Sequence, residues 1–246
     1  MRKAGFQYID HPEIKLSGIK KIVMLGDPGC TGFYEDSKKV LGEILSQKPD
    51  LFFILGDLAF TGADEEFLEI IDFCNARVKV PIYALCGNHD LPHYSKFFGL
   101  RTYALILDHH IFLFLCNAHG HFLEKDVDFL RAELEKYPEK DFILLMHIPP
   151  PTPMSRSVLR KSEWEKIERV LDPHRERIRH VFCAHVHGSY EYQADGYPVT
   201  ITAGSGAAMI HALARPAKKL FHSRVVALHQ DGSLSSKIVP VMQGSA

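Results

Sequence analysis

The chain has 246 residues, of which 46% are hydrophobic and 24% are charged, a composition that excludes intrinsic disorder and collagen-like repeats. Its 29 lysines and arginines nearly balance its 30 aspartates and glutamates, so no field of one sign would attract nucleic acid or an anionic membrane. The unusual feature is the histidine content, 15 residues against nine tyrosines and one tryptophan. Any anion that the protein handles must therefore be held locally.

The N-terminal residues lack the apolar stretch of a secretory signal, and no apolar run approaches the roughly 18 residues of a transmembrane helix. The cysteines are odd in number, form no CxxC pair and mostly lie inside apolar runs, which is typical of reduced, buried thiols. These features predict a cytoplasmic protein without a disulfide framework. We expect residues 1–246 to form a single domain. The five cysteines are Cys30, Cys74, Cys86, Cys116 and Cys183.

Six short apolar runs predict β-strands that are covered on both faces, because the runs are continuous rather than alternating. They span residues 21–25, 51–55, 81–86, 111–116, 142–146 and 178–183. Helical patterns lie between several of them, around residues 40–45, 67–74, 129–134 and 164–171. This alternation predicts an α/β layered fold. The proline run at 149–151 predicts a stiff surface loop within it.

The pattern changes after about Gly188, where short apolar runs are separated by turn residues and no strong helical pattern occurs. We predict four further strands in this part of the chain. They span residues 190–193, 197–202, 223–228 and 234–241.

Side chains that can bind a metal follow the ends of five predicted strands. In an open α/β sheet, ligands bind beyond the carboxyl ends of the strands, so these side chains should meet at one edge. Carboxylates combined with imidazoles favour Mn, Fe or Zn, whereas a set of oxygen ligands alone would favour Mg or Ca. Glycine before several of them allows the backbone to turn sharply. The residues are Asp27, Asp57, Asn88, His89, Asp90, His147, His185 and His187.

The order Gly56-Asp57, Gly87-Asn88-His89-Asp90, His147 and His185-Val186-His187, after an initial Asp27, resembles the calcineurin-like metallophosphoesterases. The resemblance spans almost the whole chain, and residues 184–208 and 221–223 are similar to the tail of the predicted phosphohydrolase branch and of purple acid phosphatase relatives. It implies a four-layer αββα sandwich with two central mixed β-sheets. It also implies a dinuclear centre of divalent or mixed-valence Mn, Fe or Zn ions at the strand ends.

The resemblance assigns a role to each of these side chains. It implies hydrolysis of a small phosphomonoester or phosphodiester by metal-activated hydroxide, with His89 as general acid. Two bridged ions can clamp the phosphoryl oxygens and lower the pKa of bound water, and an imidazole can protonate the leaving oxygen. The implied roles are Asp57 as the bridge, Asn88, His147 and His185 at the second site, Asp27 and His187 at the first, and Asp90 orienting His89.

One position departs from the family pattern. Most members have Asp-x-His at the first motif, but here the residues are Asp27-Pro28-Gly29. Purple acid phosphatases also have glycine there, yet they carry a tyrosine ligand three residues after the bridging aspartate, where this chain has Phe60. We therefore predict that the first site is the weaker one and loses its ion on purification, unless another side chain supplies a donor. The candidate donors are Cys30, Tyr34, His119 and His121.

Two other functions compete with a metal-dependent phosphoesterase. The zinc β-lactamase-like hydrolases need a His-x-His-x-Asp-His run, but Gly188-Ser189 follows His187 here. A non-catalytic binding module of the same fold, with a degraded first site, is the alternative from another class.

Some further features have both a functional and a structural interpretation. The basic residues at 156, 160 and 161 form either a solvated face or a contact with the substrate phosphate. The loops at 149–157 and 204–209 would contact the rest of the substrate. We expect His109 and His110 to lie in a turn between strands. The histidines for which we expect no chemical role are His93, His109, His110, His174, His180, His211, His222 and His229.

Overall fold

A computed structural model describes residues 3–152, 155–206 and 220–241. Its helices are α1 (Glu35–Leu45), α2 (Asp64–Asn75), α3 (Tyr94–Phe98), α4 (Glu124–Lys136) and α5 (Lys161–Leu171), and a 3₁₀ helix spans Asp172–Arg177. Its strands are β1 (Gly5–Phe6), β2 (Glu13–Lys15), β3 (Lys21–Leu25), β4 (Leu51–Ile54), β5 (Pro81–Ala84), β6 (Tyr103–Ile106), β7 (His110–Phe114), β8 (Asp141–Leu145), β9 (Ile178–Cys183), β10 (Ser189–Ala194), β11 (Tyr197–Thr202), β12 (His222–Leu228) and β13 (Leu234–Pro240).

The strands form two mixed sheets. The first has six strands in the order β1-β5-β4-β3-β12-β13, and the second has seven in the order β10-β11-β9-β8-β7-β6-β2. Strands β3, β4 and β5 are parallel, as are β7, β8 and β9, while the C-terminal strand β12 is antiparallel to β3. The carboxyl ends of the central strands of each sheet therefore lie at one edge of that sheet.

Alternate residues of the central strands pack on opposite faces of the first sheet, as the two-residue period of a strand requires. Val23 and Phe52 belong to an apolar cluster with helices α1, α2 and α3. Met24 and Phe53 belong to a second cluster that contains the other sheet and helices α4 and α5. The Phe53 ring lies with its centroid 5.1 Å from that of Phe114 on β7. The layers are thus helix, sheet, sheet and helix, which confirms the predicted four-layer αββα sandwich.

All ten predicted strands and all four predicted helices form, with strand ends within two residues of the predicted ones. Strands β1, β2 and β6 and the short helix α3 were not predicted. The first two have two and three residues, too few to give a periodic signal, and they pair along the outer edges of the sheets.

Three sequence-based expectations about local structure need correction or comment. Pro149 and Pro150 are buried rather than on the surface, and the carbonyl of Pro150 accepts a hydrogen bond from the Tyr192 hydroxyl at 2.7 Å. His110 is not in a turn but is the first residue of β7, where it is 2% exposed. All five cysteines are free and buried, as predicted.

Among the residues that the structure describes, no helix has the length and apolar character needed to cross a membrane.

Candidate metal centre

Carboxylate, imidazole and thiol side chains converge beyond the ends of β3, β4, β8 and β9. They form two groups in which each residue offers one ligand atom, and the ligand atoms within a group lie within 4.8 Å of one another. Asp57 belongs to both groups, so one carboxylate can serve two ions. The first donor group is Asp27, Cys30, Asp57 and His187, and the second donor group is Asp57, His147 and His185.

The backbone is strained where it presents these donors. Asp27, Asp57, His185 and His187 have φ angles of 58°, 55°, 72° and 45°, a region that non-glycine residues rarely occupy. The only other non-glycine residue with positive φ in the described ranges is Asp195, in a hairpin turn. Strain of this kind persists where the surroundings hold a functional geometry. His185 and His187 therefore lie in a turn after β9 and not on the strand itself.

Glycines allow the loops that follow β4 and β5 to approach each other closely. Gly56 has a φ of 94°, and a Cβ there would lie 2.5 Å from Nδ1 of His147. A Cβ at Gly87 would lie 2.2 Å from the backbone nitrogen of Asp57. Neither position accepts a side chain. The sharp turn expected from the sequence occurs at Gly56, whereas glycine at 87 is required by the close approach of the two loops.

Asp90 shapes the loop that carries Asp57, and its carboxylate does not orient His89 as the resemblance implied. Its two oxygens accept hydrogen bonds at 2.8–3.0 Å from the buried backbone N–H groups of Asp57, Leu58, Ala59 and Gly87. Burial and the Asp57 carboxylate raise the pKa of Asp90 to about 7, while the N–H donors act to lower it. The four N–H donors favour the ionised form of Asp90, because each N–H requires an acceptor oxygen.

His89 is held instead by Phe60. Its Nδ1 lies 2.6 Å from the carbonyl oxygen of Phe60, and the two rings stack with centroids 5.8 Å apart. A carbonyl can only accept, so Nδ1 carries a proton and donates it, which leaves Nε2 for chemistry. The His89 backbone N–H donates to Oδ1 of Asp57 at 3.1 Å, so the imidazole stands directly beside the centre. Phe60 thus positions a histidine and provides no metal ligand.

His147 is fully buried, and its ring is fixed by the backbone. Nδ1 donates to the carbonyl of Leu55 at 2.8 Å, so Nε2 faces the second donor group. Nε2 lies 3.0 Å from Oδ1 of Asn88 and 3.2 Å from Oδ2 of Asp57. Three atoms with lone pairs therefore face one another, an arrangement that is favourable only around a cation or a second proton. Burial acts to lower the pKa of His147, but the nearby carboxylates of Asp57 and Asp27 together outweigh this effect and the pKa rises to about 10.

Two buried atoms of the second donor group, Nδ1 of His185 and Oδ2 of Asp57, form no hydrogen bond, although Oδ2 of Asp57 lies 3.2 Å from Nε2 of His147. Buried polar atoms without partners are costly, and those that persist call for an unseen ligand. Burial and the neighbouring Asp57 carboxylate also raise the pKa of Asp27 well above its usual range, although His147 opposes this rise. Bound cations would satisfy the two atoms and compensate the carboxylates. The residues present therefore fit a dinuclear transition-metal centre.

Asn117 supports this centre and had no signal in the sequence beyond its place after an apolar strand. It is fully buried, and its Oδ1 accepts hydrogen bonds from the backbone N–H groups of His147 and Ile148 at 3.1 and 3.0 Å. Its side-chain amide donates to the carbonyl of Ile148 at 2.7 Å. Asn117 thus fixes the backbone from which His147 projects.

We expect Asn117→Ala to lower the affinity of the second donor group for metal about 10- to 100-fold, the range typical of residues that orient a ligand. The reason is that two buried N–H groups lose their acceptor and the His147 backbone is released. Titration of the metal-free protein with Zn²⁺ measures the change. Asn75→Ala is the matched control, since Oδ1 of Asn75 also accepts a backbone N–H, from Phe6, at an exposed position. Equal affinities in the two variants would contradict the role of Asn117.

Of the four side chains proposed to replace the missing histidine, the structure brings only Cys30 to the first donor group. Tyr34 is 71% exposed before α1, and His119 and His121 are exposed and lie beside each other with ring centroids 5.6 Å apart. Neither histidine belongs to a donor group.

The other residues singled out in the sequence do not enter the donor groups. Arg156, Arg160 and Lys161 are exposed, as a solvated face would be. Several remaining histidines contact polar neighbours: His93 with Asp64, His180 with Thr200, His222 with Thr202 and His229 with Ser235. His211, residues 153 and 154 of loop 149–157 and residues 207–209 of loop 204–209 lie outside the described residues.

A model of the calcineurin-like phosphoesterases matches residues 20–189 of the chain. The chain belongs to this family. This calcineurin-like phosphoesterase is 24% identical, over 232 residues, to a 3',5'-cyclic adenosine monophosphate phosphodiesterase of Haemophilus influenzae, with 83% of the chain and 80% of the relative covered.

Solved structures show the same fold. A dimetal phosphatase from Danio rerio superposes with a TM-score of 0.68 at 12% identity, covering 89% of this chain and 96% of its own. A purple acid phosphatase from yellow lupin seeds gives a TM-score of 0.69 at 15% identity, covering 91% of this chain and 52% of its own. The resemblance seen in the motifs and the αββα architecture are thus confirmed.

Proposed function

We propose that this calcineurin-like phosphoesterase is an active, metal-dependent hydrolase of a small phosphomonoester or phosphodiester. The observation that carries the proposal is the pair of donor groups that share Asp57 at the strand ends. The lack of a hydrogen bond at Oδ2 of Asp57 and Nδ1 of His185 supports it, because both atoms are buried and both residues belong to the second donor group.

In this proposal Asp57 contributes to both ions, which are Mn, Fe or Zn, since the donors mix carboxylate with imidazole. Bound ions supply Lewis acidity for the phosphoryl oxygens and for the attacking water, which provides hydroxide at neutral pH. Asp27, Asp57 and His187 would hold the first ion, and Asp57, Asn88, His147 and His185 would hold the second.

His89 manages the proton of the leaving group. Its Nδ1–H is engaged with the carbonyl of Phe60, so the proton that moves to the leaving oxygen is the one on Nε2. Stacking on Phe60 restricts rotation of the imidazole. Asp90 acts indirectly, because it accepts hydrogen bonds from the backbone of Gly87 and of Asp57, and Oδ1 of Asp57 accepts one from the His89 backbone.

Buried, free cysteines support a cytoplasmic location for the enzyme, since thiols of this kind persist in a reducing compartment. The nearly balanced charge of the chain supports a small anionic substrate rather than nucleic acid or a membrane surface.

The proposal is tested by turnover of p-nitrophenyl phosphate, bis-p-nitrophenyl phosphate and 3',5'-cyclic AMP with Mn²⁺, Fe²⁺ or Zn²⁺ added. The third substrate is included because the relative from Haemophilus influenzae is named for it. We expect turnover of at least one substrate that a chelator abolishes and that Asp57→Asn does not support. No turnover of any of the three above that of Asp57→Asn would overturn the proposal.

A non-catalytic binding module is the second candidate, and the observation that favours it is Gly29 at the place of the motif histidine. Such a module would bind metal and phosphate without hydrolysing any ester. The same assays, with His89→Ala added as a control, decide between the two, because a binding module would show no turnover above that of His89→Ala.

A further inference from the structure

The strongest unexplained feature of the centre is a thiol among its metal-binding atoms. Sγ of Cys30 lies 3.1 Å from Nε2 of His187, and both belong to the first donor group with Asp27 and Asp57. All four residues are buried. Two carboxylates, an imidazole and a sulfur within 4.8 Å of one another form a four-donor set, the number that a tetrahedral site requires.

The backbone before Cys30 leaves no room for a ligand at position 29. A Cβ there would lie 1.9 Å from the carbonyl oxygen of Leu58 and 2.4 Å from its carbon. The Gly29 N–H also donates to the carbonyl of Asp57 at 3.0 Å, which holds this segment against the loop after β4. No side chain fits at Gly29, and Cys30 is the next residue that can reach the first donor group.

The other cysteines show that this placement is not a general property of buried thiols in the chain. Cys74 lies in α2 and Cys183 at the end of β9, both within the apolar clusters. In the described part of the chain, Cys30 is the only cysteine that belongs to a group able to hold a metal ion.

We propose that Cys30 is a metal ligand, and that its thiolate makes the first site selective for thiophilic ions such as Zn²⁺, Fe²⁺ or Co²⁺ over Mn²⁺ or Mg²⁺. Ligation breaks the S–H bond, releases the proton to solvent and forms a sulfur–metal bond. Soft thiolate ligands select these ions, whereas carboxylate and water favour Mn²⁺ and Mg²⁺. The inference rests on the proposed metal centre, and it replaces the expectation of a weak first site with that of a chemically distinct one.

The test is the absorption spectrum of the metal-free full-length protein after titration with two equivalents of Co²⁺. A sulfur ligand gives a near-ultraviolet sulfur-to-cobalt charge-transfer band, which oxygen and nitrogen donors do not give. We expect the band in the wild type and in Cys74→Ser, the matched control that also removes a buried thiol. We expect no band in Cys30→Ser. A band that persists in Cys30→Ser, or its absence from the wild type, would overturn the inference.

A second variant covers the case in which Cys30→Ser fails to fold. Cys30→Asp supplies an oxygen donor, so we expect it to bind two ions per chain, to lack the charge-transfer band and to lose the preference of the first site for Zn²⁺ over Mn²⁺ by about 10-fold or more in competition. An unchanged preference would contradict the role of the thiolate.

The result of the cobalt titration can be distinguished from the result of the turnover assays. A charge-transfer band without turnover of any ester would leave Cys30 as a ligand and refute the enzyme. Turnover of an ester without the band would support the enzyme and refute Cys30 as a metal ligand.

Discussion

Replacing His89 by alanine is expected to lower kcat by about 10²- to 10⁴-fold, the contribution typical of a general acid. The reason is that Nε2 of His89 would donate the proton in the proposed reaction, while its Nδ1 is engaged with the carbonyl of Phe60. Both metal ions should remain bound, since His89 contributes no side-chain atom to either donor group. Steady-state kinetics on p-nitrophenyl and bis-p-nitrophenyl phosphate, with the metal content of each sample, measure the effect.

The fall in kcat of His89→Ala should also depend on the leaving group of the substrate. Loss of a general acid should matter less for an ester whose leaving oxygen needs no proton, so the fall in kcat should be larger for an alkyl ester than for a nitrophenyl ester. His93→Ala is the control, because His93 is a half-exposed histidine four residues later whose Nδ1 contacts Asp64. A kcat of His89→Ala equal to that of the control would remove His89 from the mechanism.

Replacing Asp90 by alanine is expected to lower the free energy of unfolding by about 4 kcal/mol or more. Four buried backbone N–H groups would lose their acceptor, and each unsatisfied donor costs about 1–3 kcal/mol. The loop that carries Asp57 would also lose its support, so metal affinity should fall in both donor groups. Denaturant unfolding of the metal-free protein measures the stability, and metal titration measures the affinity.

Two further variants show whether the loss of stability in Asp90→Ala comes from the lost acceptor oxygens. Asp90→Asn keeps one acceptor oxygen and should lose less stability than the alanine variant. Asp64→Ala removes a surface carboxylate that pairs with His93 and Lys96, and it should lower the stability far less, because solvent screens such exposed pairs. If Asp90→Ala were as stable as Asp64→Ala but lost activity, Asp90 would act in the reaction rather than in the fold.

The sequence was sufficient for the layered fold, because long buried strands and amphipathic helices carry strong periodic signals. Strand β3 is the clearest case, since its predicted and observed bounds coincide at Lys21–Leu25. Strands β1 and β2 were missed because they are too short for a period and are held by pairing with distant strands, β5 and β6. Such pairing depends on tertiary contacts that no local pattern contains.

The candidate site was predictable as a set of residues but not as a geometry. The motif order identified the side chains at the strand ends, and the structure brings Asp27, Asp57, His147, His185 and His187 into two groups. The contacts that fix them could not be read from the sequence. Asn117 is one of these, and the carbonyl of Phe60 on His89 is another, because a backbone acceptor leaves no trace in residue type.

The side chain that takes the place of the missing motif histidine at the first site was also not predictable from the sequence alone. His119 and His121 follow an apolar strand and were as plausible from the sequence as Cys30, but only the thiol reaches the donor group. The difference lies in the backbone at Gly29, which packs against Leu58 and brings the following residue to the centre.

Anomalous scattering from a crystal of the metal-loaded protein would show whether two ions share Asp57. Data collected at the Mn, Fe and Zn absorption edges count the ions and identify them. We expect two peaks, one in contact with Asp27 and His187 and the other with His147 and His185, with the Asp57 carboxylate in contact with both. A single ion, or two ions of which either lies away from Asp57, would contradict this expectation.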